Sequence, residues 1–287
     1  MPEGHTLHRL AGTLAAAFAG RRVGVSSPQG RFAEEAAQLD GAVLDDAEAW
    51  GKHLFLDFGA DRLVHVHLGL YGKFDVGVAA HVPPPVGQVR LRLAALDRLP
   101  NTRAGGEARI PYADLRGATT CALIATAGRD AILERLGPDP LRADAEPESA
   151  WTRIHRSRAP IAALLMDQKV LAGVGNVYRA EVLFRHRVDP HLPGQRLSRR
   201  KFNAMWADLV ELMAEGVRTG RIDTVRPEHT PEAMGRAPRV DDHGGEVYTY
   251  RRHGQPCLVC GTRIRTEELV ARNLFWCPRC QRAAARD

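Results

Sequence analysis

The second and third residues of the chain, Pro2 and Glu3, are candidates for covalent chemistry. Initiator methionine is readily trimmed when a small residue follows it, so we expect the mature chain to begin at Pro2. A free α-amino group has an ordinary pKa of about 7.7–8.0, so part of it is neutral and nucleophilic at pH 7. Such an amine can form an iminium, as a lysine does in a Schiff base, and Glu3 could act as the acid. In an arbitrary chain the same start would be disordered, so this hypothesis needs support from other residues.

Four of the five cysteines form two pairs near the end of the chain: Cys257 with Cys260, and Cys277 with Cys280. Each pair has C-x2-C spacing and the spacer between them is sixteen residues long, which is typical of a zinc site. Four thiolates complete a tetrahedral shell, so the single predicted Zn²⁺ is structural rather than catalytic. Cys121 has no partner in this pattern and is predicted to be a small buried side chain.

Two other segments could contact phosphate. Residues 173–176, Gly-Val-Gly-Asn, lie between two predicted helices. Backbone N–H groups at the start of the second helix could hold an anion, and the side chain of Asn176 could add a donor. Lys52 stands at the entry to a predicted strand, in a chain with only four lysines. The alternative interpretations are a plain helix–helix turn and a solvated lysine.

Length and charge narrow the class of protein. The chain has 287 residues, enough for two domains, and a net charge of +6, which favours a polyanionic partner. Residues 251–287 carry eight arginines against three acidic residues, and remain basic if four thiolates bind one zinc ion. No apolar run reaches the length of a membrane span, and no secretory signal is visible. We therefore expect a cytoplasmic protein that does not bind membranes.

The predicted elements indicate how these residues are positioned. Apolar residues repeat at helical spacing between Thr6 and Phe18, so a helix would tether the N-terminus. Apolar and polar residues alternate at 54–58, 64–68 and 89–93, which predicts an antiparallel sandwich over about residues 20–125. His65 is expected on a solvated strand face. Helices are predicted at 161–169, 177–184 and 201–217, the last with Ser198 as its N-cap, and a long loop at 220–247.

Taken together and in order, the motifs resemble the formamidopyrimidine-DNA glycosylase/endonuclease VIII family of base-excision repair enzymes. The resemblance covers almost the whole chain, and is strongest to the endonuclease VIII-type members of actinobacteria. Each motif is modest alone, but their joint order is specific. They are Pro2-Glu3-Gly4, Gly51-Lys52, His67-Leu68-Gly69-Leu70-Tyr71-Gly72, Asp114-Leu115-Arg116, Leu136-Gly137-Pro138-Asp139-Pro140-Leu141, Asp167–Tyr178, and the cysteine hairpin that ends in Cys277-Pro278-Arg279-Cys280-Gln281.

This resemblance implies an α+β fold. An N-terminal antiparallel β-sandwich domain with an N-terminal helix would occupy residues 1–128, followed by a linker at 129–150. A helix-two-turns-helix DNA-binding domain would follow at 151–246, and a four-cysteine zinc-finger β-hairpin at 247–287. The implied partner is double-stranded DNA with damaged bases or abasic sites, bound by a monomer.

The resemblance also implies the reaction. Pro2 would attack the sugar C1′, Glu3 would assist opening of the sugar, and Lys52 would contact the phosphate beside the damaged nucleotide. The iminium would then allow β- and δ-elimination, so that one enzyme removes the base and nicks the strand. A base in a duplex must be flipped out to be reached, and a damaged base is extruded at lower cost.

Five further residues are implied to bind the DNA. Asn176 and Arg272 would clamp the phosphate region next to the lesion. Leu70, with Tyr71, would fill the gap left by the extruded base, and Arg116 would face the orphaned partner base. An apolar plug and backbone cations are what a flipped and bent duplex requires.

Departures from the family pattern bear on the substrate. Leu70 and Tyr71 are as in the endonuclease VIII type, and the bulky Phe of the formamidopyrimidine type is missing after Arg116. The 220–247 loop does not resemble a capping loop for 8-oxoguanine. These features favour oxidised pyrimidines, with a preference for 8-oxoguanine or formamidopyrimidines as the alternative. Ala271 replaces the family's glycine before Arg272, which puts the turn geometry in question.

Two functions of other classes compete with this interpretation. In the first, a non-catalytic DNA-binding protein would use the zinc hairpin and carry an inert N-terminus; the presence of Pro2, Glu3 and Lys52 argues against it. In the second, the N-terminal proline would belong to a tautomerase. Such an enzyme would leave the zinc hairpin, the phosphate contacts and the basic C-terminal segment unexplained.

Overall fold

The computed structural model describes residues 2–97, 108–240 and 245–282. The chain divides into two compact units. The first contains Pro2 and Thr6–Arg135, and the second contains Glu3–His5 and the chain from Leu136 onward. Met1, which we predict to be removed, and residues 283–287 of the predicted zinc-finger domain lie outside the described residues.

The first unit is the predicted antiparallel β-sandwich. One sheet has five strands in the order β2-β1-β7-β8-β6, and the other has four in the order β3-β4-β5-β9. Apolar side chains of alternating strand residues fill the space between the sheets, as period-two patterning predicts. The strands are β1 (Arg21–Ser26), β2 (Val43–Leu44), β3 (Asp46–Trp50), β4 (His53–Asp57), β5 (Leu63–His67), β6 (Lys73–Ala79), β7 (Val89–Ala95), β8 (Ile110–Arg116) and β9 (Thr120–Ile124).

Three helices accompany these strands: α1 (Gly4–Phe18), α2 (Ala33–Leu39) and α3 (Thr126–Leu133). Helix α1 is the predicted tether for the N-terminus. Leu7, Leu14 and Phe18 are buried in the core of the sandwich. Its first residues, Gly4 and His5, belong to the second unit.

The second unit is helical around a core of its own. Its helices are α4 (Pro147–His155), α5 (Ile161–Leu164), α6 (Asn176–Arg185), α7 (Arg199–Thr219) and α8 (Pro231–Met234). Ser198 caps α7 as predicted, since its hydroxyl accepts a hydrogen bond from the Lys201 N–H at 3.3 Å. The segment 220–247, predicted as a loop, contains a 3₁₀ turn at Pro227–His229 in addition to α8.

The second unit ends in a two-stranded hairpin formed by β10 (Arg265–Leu269) and β11 (Arg272–Trp276). Leu269 pairs with Arg272, so only Val270 and Ala271 form the turn. Both have positive φ, 52° and 53°, the backbone that a type I′ hairpin requires. The turn therefore keeps the left-handed geometry without a glycine.

Among the described residues, no helix combines the length and the apolar character needed to cross a membrane.

Candidate active site

The carboxylate of Glu3 is bound to the start of helix α6. It accepts hydrogen bonds from the N–H groups of Gly175 at 2.9 Å, Val177 at 2.8 Å and Tyr178 at 3.4 Å. The first N–H groups of a helix lack intrahelical partners and carry its positive dipole end, so they bind an anion well. Glu3 is fully buried there. Residue 3 is therefore fixed in the second unit rather than disordered, and Pro2 is covalently attached to it.

Glycines on both segments allow this close approach. A Cβ added at Gly4 would lie 2.8 Å from Cα of Gly173, and one at Gly175 would lie 2.4 Å from Cδ of Glu3. The Gly4 N–H also donates to the Gly173 carbonyl at 2.8 Å. The Pro-Glu-Gly start of the chain and the Gly-x-Gly turn therefore pack directly against each other.

The sequence analysis considered a phosphate as a partner for the N–H groups of the Gly-x-Gly-Asn turn, with a plain helix–helix turn as the alternative. In the structure, the N–H groups of residues 175, 177 and 178 bind Glu3. The carboxylate lies 172 residues away in the chain, so no local pattern could have paired the two.

Asn176, the first residue of α6, is connected to the zinc hairpin. Its side-chain nitrogen donates to the carbonyl of Asn273 at 3.0 Å, and its side-chain oxygen accepts a short hydrogen bond from Arg179. Arg179 also donates to the Asn273 carbonyl at 3.2 Å. Arg272 is the neighbour of Asn273 on β11 and is exposed. Asn176 and Arg272, predicted from the sequence to contact one phosphate region, therefore belong to one connected group.

Sequence reasoning missed Arg179. Its side chain is fully buried, and burial lowers the pKa of its guanidinium to about 10, while the charge of Glu3 opposes part of that shift. An arginine three residues after Asn176 would ordinarily be read as a solvated helix residue. The available signal was that it lies one helical turn from Asn176, on the same face.

In the first unit, strand pairing brings the predicted Lys52 turn and the Leu70–Tyr71 turn to the same end of one sheet. His53 pairs with His67, so Lys52, just before β4, lies beside the chain that leaves β5. Lys52 follows Gly51, whose φ of 57° suits a two-residue hairpin. Leu70 and Tyr71 are 43% and 85% exposed, unusual for large apolar side chains.

Arg116 lies near this turn but is held within its own unit. A Cβ on Gly117 would be 3.3 Å from the carbonyl oxygen of Tyr71, which shows that the two turns are adjacent. The Arg116 guanidinium pairs with Asp75 and Asp114 at 2.9 Å each and donates to the Val86 carbonyl at 2.8 Å. For Arg116 to contact an unpaired DNA base, some of its bonds to Asp75, Asp114 and the Val86 carbonyl would have to break.

The four paired cysteines converge as predicted. Their sulfur atoms all lie within 4.8 Å of one another, with Cys257–Cys280 at 3.9 Å and Cys260–Cys277 at 3.5 Å. Tetrahedral zinc with Zn–S bonds of about 2.3 Å separates its sulfurs by about 3.8 Å, so the donor set fits one Zn²⁺. Cys121 is buried in the core of the first unit, and burial raises the pKa of its thiol to about 12.

Three family models match the chain, in the order of the predicted motifs. They are the formamidopyrimidine-DNA glycosylase N-terminal domain at residues 1–121, the formamidopyrimidine-DNA glycosylase H2TH domain at 136–227, and the zinc finger found in FPG and IleRS at 254–283. Endonuclease 8 1 of Mycobacterium tuberculosis is 52% identical over 98% of this chain and 100% of its own length. The chain belongs to the formamidopyrimidine-DNA glycosylase/endonuclease VIII family.

A second relative agrees with this membership, and a solved structure has the same fold. The formamidopyrimidine-DNA glycosylase of Thermomicrobium roseum is 32% identical over 82% of this chain and 80% of its own length. The Lactococcus lactis enzyme, solved bound to DNA containing an AP site, has the same fold. It covers 98% of this chain and all of its own, with a TM-score of 0.74 at 20% identity. The α+β fold, the DNA glycosylase family and the four-cysteine zinc finger predicted from the sequence are therefore confirmed.

Proposed function

We propose that this chain is a bifunctional DNA glycosylase and AP lyase, in which the Pro2 amine attacks C1′ of a flipped, oxidised nucleotide. The observation that carries the proposal is the attachment of Glu3 to α6 through three N–H donors. This attachment fixes Glu3, the neighbour of the Pro2 nucleophile, at the N-terminus of α6. Asn176 is the first residue of the same helix. Family membership supports a glycosylase; the residue roles are our assignment.

The proposed first step exchanges the base for the amine. The nitrogen lone pair of Pro2 forms a bond to C1′ as the base leaves with the electron pair of the glycosidic bond. The Glu3 carboxylate then takes the proton that the Pro2 nitrogen loses and donates it to O4′, so that the C1′–O4′ bond breaks, the sugar ring opens and a C1′=N⁺ iminium results. The Glu3 carboxylate restored in this way is one residue from the cation and stabilises it electrostatically.

The proposed second step cuts the strand. The iminium acidifies the C2′–H bond, so loss of that proton expels the 3′ phosphate by β-elimination, and δ-elimination then releases the 5′ phosphate. Lys52 would contact the phosphate beside the lesion. Asn176 and Arg272 would hold the same region, and the exposed Leu70 and Tyr71 would occupy the gap in the duplex.

Borohydride reduction tests the covalent step. Protein with a native Pro2 terminus is mixed with an abasic-site duplex and reduced, and we expect a protein–DNA adduct because borohydride fixes an iminium as a stable amine. The matched control retains a peptide ahead of Pro2, whose amide nitrogen is not a nucleophile, and should yield none. An equal adduct from both proteins would remove Pro2 from the mechanism, and DNA binding without any adduct would favour a binding-only protein.

Substrate choice needs a separate assay. The exposed Leu70 and Tyr71 and the 52% identical endonuclease 8 1 support a preference for oxidised pyrimidines. Single-turnover excision from otherwise identical duplexes should be faster for thymine glycol than for 8-oxoguanine opposite cytosine. Faster excision of 8-oxoguanine would contradict this part of the proposal and leave the lyase chemistry intact.

A further inference from the structure

We propose that Arg179 is the positioning residue of the phosphate clamp and that it acts on DNA binding through Asn176. The inference deepens the proposed function and rests on it, because the clamp role of Asn176 is assigned there. Arg179 itself is fully buried and contacts no DNA in this proposal.

The hydrogen bonds around Asn176 fix the orientation of its amide. The Arg179 guanidinium holds the Oδ1 end, and the Asn273 carbonyl accepts one N–H from the Nδ2 end at 3.0 Å. A side-chain amide nitrogen carries two N–H groups, so the second remains available for a phosphate oxygen. Without Arg179 the amide could flip and present its oxygen, which repels phosphate.

Arg179 also joins the two halves of the clamp. The same guanidinium nitrogen that holds Asn176 donates to the carbonyl of Asn273 at 3.2 Å. Asn273 directly follows Arg272 on β11, so the bond fixes the hairpin backbone beside the second clamp residue. Asn176 and Arg272 lie 96 residues apart in the sequence and need such a connection to bind one phosphate region together.

The environment of Arg179 is unusual for a purely structural arginine. The guanidinium also donates to the Ala162 carbonyl at 3.4 Å, and its Nε has no hydrogen-bond partner among the described residues. By contrast, Arg185 forms a paired bond with Asp208. A buried cation without a hydrogen-bonded carboxylate is costly, and a phosphate bound at Asn176 would supply nearby negative charge.

A double-mutant cycle tests whether Arg179 acts through Asn176. Dissociation constants are measured at one salt concentration for a duplex with a tetrahydrofuran abasic-site analogue. Arg179→Met should raise the dissociation constant for DNA about 10-fold. This is the expected effect of losing the charge-assisted hydrogen bond that orients the Asn176 amide. In the Asn176→Ala background the same substitution should weaken binding by a clearly smaller factor, because no amide is left to orient and only the bond to the Asn273 carbonyl is lost.

Arg252→Met is the matched control. Arg252 is also buried in the second unit, but it donates to the carbonyls of Tyr248 and Pro256 and to the side chain of Gln255, away from Asn176. Its effect should be the same in both backgrounds. Equal weakening by Arg179→Met in both backgrounds would overturn the proposal, as would unchanged binding by the single variant.

Zinc content and thermal unfolding establish that each variant is folded. If Arg179→Met is not folded, Arg179→Lys is used in the same cycle. Lysine keeps the charge but lacks the planar guanidinium, which bonds Asn176 and Asn273 through one nitrogen and Ala162 through another. If Asn176→Ala alone leaves DNA binding unchanged, the clamp in the proposed function fails. If Asn176→Ala weakens binding and Arg179 proves additive with it, only the present inference fails.

Discussion

At the scale of single residues, a buried carboxylate links the N-terminus to the helix that follows the Gly-x-Gly turn. Both oxygens of Glu3 are used: Oε1 accepts from Val177, and Oε2 accepts from Gly175 and Tyr178. A glutamine cannot reproduce this, because its NH₂ group would face an N–H donor. We expect Glu3→Gln to lower the free energy of unfolding by about 1–3 kcal/mol, measured by denaturant titration.

Glu181→Gln separates this stability effect from chemistry. Glu181 is likewise fully buried and accepts hydrogen bonds from the N–H groups of Tyr248, Thr249 and Tyr250. It should destabilise the protein at least as much while retaining base excision at low temperature. Glu3→Gln should lose excision under those conditions, and normal excision by it would remove Glu3 from the mechanism.

Arg272 gives a second prediction at this scale. It is exposed, and its one described hydrogen bond goes to the neighbouring Ala271 carbonyl, so its guanidinium can turn to a phosphate. Arg272→Ala should weaken DNA binding and reduce the slope of log K against log salt by about one, as loss of one phosphate contact requires. Titrations at several salt concentrations measure this, and parallel lines for the two proteins would exclude Arg272 from the clamp.

At the scale of elements, the hairpin turn of the zinc finger has a strained backbone, because both of its residues have positive φ and neither is a glycine or an asparagine. Val270 is β-branched, has φ of 52°, and is 68% exposed, so it gains little from burial. Asparagine tolerates this backbone far better. We expect Val270→Asn to stabilise the zinc-loaded protein by about 1 kcal/mol, seen as a higher thermal midpoint.

The control for this substitution lies in the same zinc finger. Val259 is also exposed, at 42%, but it is not among the residues with positive φ. Val259→Asn should therefore give no gain. Stabilisation by both substitutions would point to lower surface hydrophobicity rather than to backbone strain.

The elements themselves were largely predictable because they depend on local patterns. The period-two strands, the N-terminal helix, the Ser198 cap and the cysteine spacing all follow from residues close in sequence. What the sequence could not predict are contacts that only folding creates. The contact of Glu3 with α6 and that of Arg179 with the Asn273 carbonyl both join distant segments. The burial of His65, which we expected to be solvated, likewise depends on packing in the folded protein.

At the scale of the whole molecule, the first unit contains a group of histidines, with His65 buried and His53 and His67 half-buried, that should make it sensitive to acid. Nδ1 of His53 and Nε2 of His65 are 2.9 Å apart, and the ring of His65 stacks against the rings of both His53 and Phe55. Burial, helped by repulsion from neighbouring histidines, lowers the pKa of His53 to about 3 and that of His65 to about 4. Burial and the charge of Lys52 also lower the pKa of His67.

These shifts fix the sign of the pH dependence. The unfolded histidines take up protons below their ordinary pKa of about 6.5, but the folded ones resist protonation, so stability present above pH 6.5 is lost as the pH falls towards 4. For His65, which is only 8% exposed, the loss between pH 7 and pH 5 should be about 1–2 kcal/mol. Calorimetric unfolding at a series of pH values measures it.

His65→Phe keeps an aromatic ring in the stack but cannot be protonated. Its stability should therefore fall less than that of the native protein between pH 7 and pH 5, by about 1–2 kcal/mol. His81→Phe, which replaces an exposed histidine of the same unit, controls for the loss of any one histidine. If the native protein and His65→Phe lose stability in parallel between pH 7 and pH 5, the acid sensitivity in this range does not arise from His65. It does not arise from Asp208 of the second unit either, because that carboxyl acts at lower pH. Burial alone would raise the pKa of Asp208, but hydrogen bonds from His186 and Arg185 lower it to about 2, so its contribution would be lost only below about pH 4.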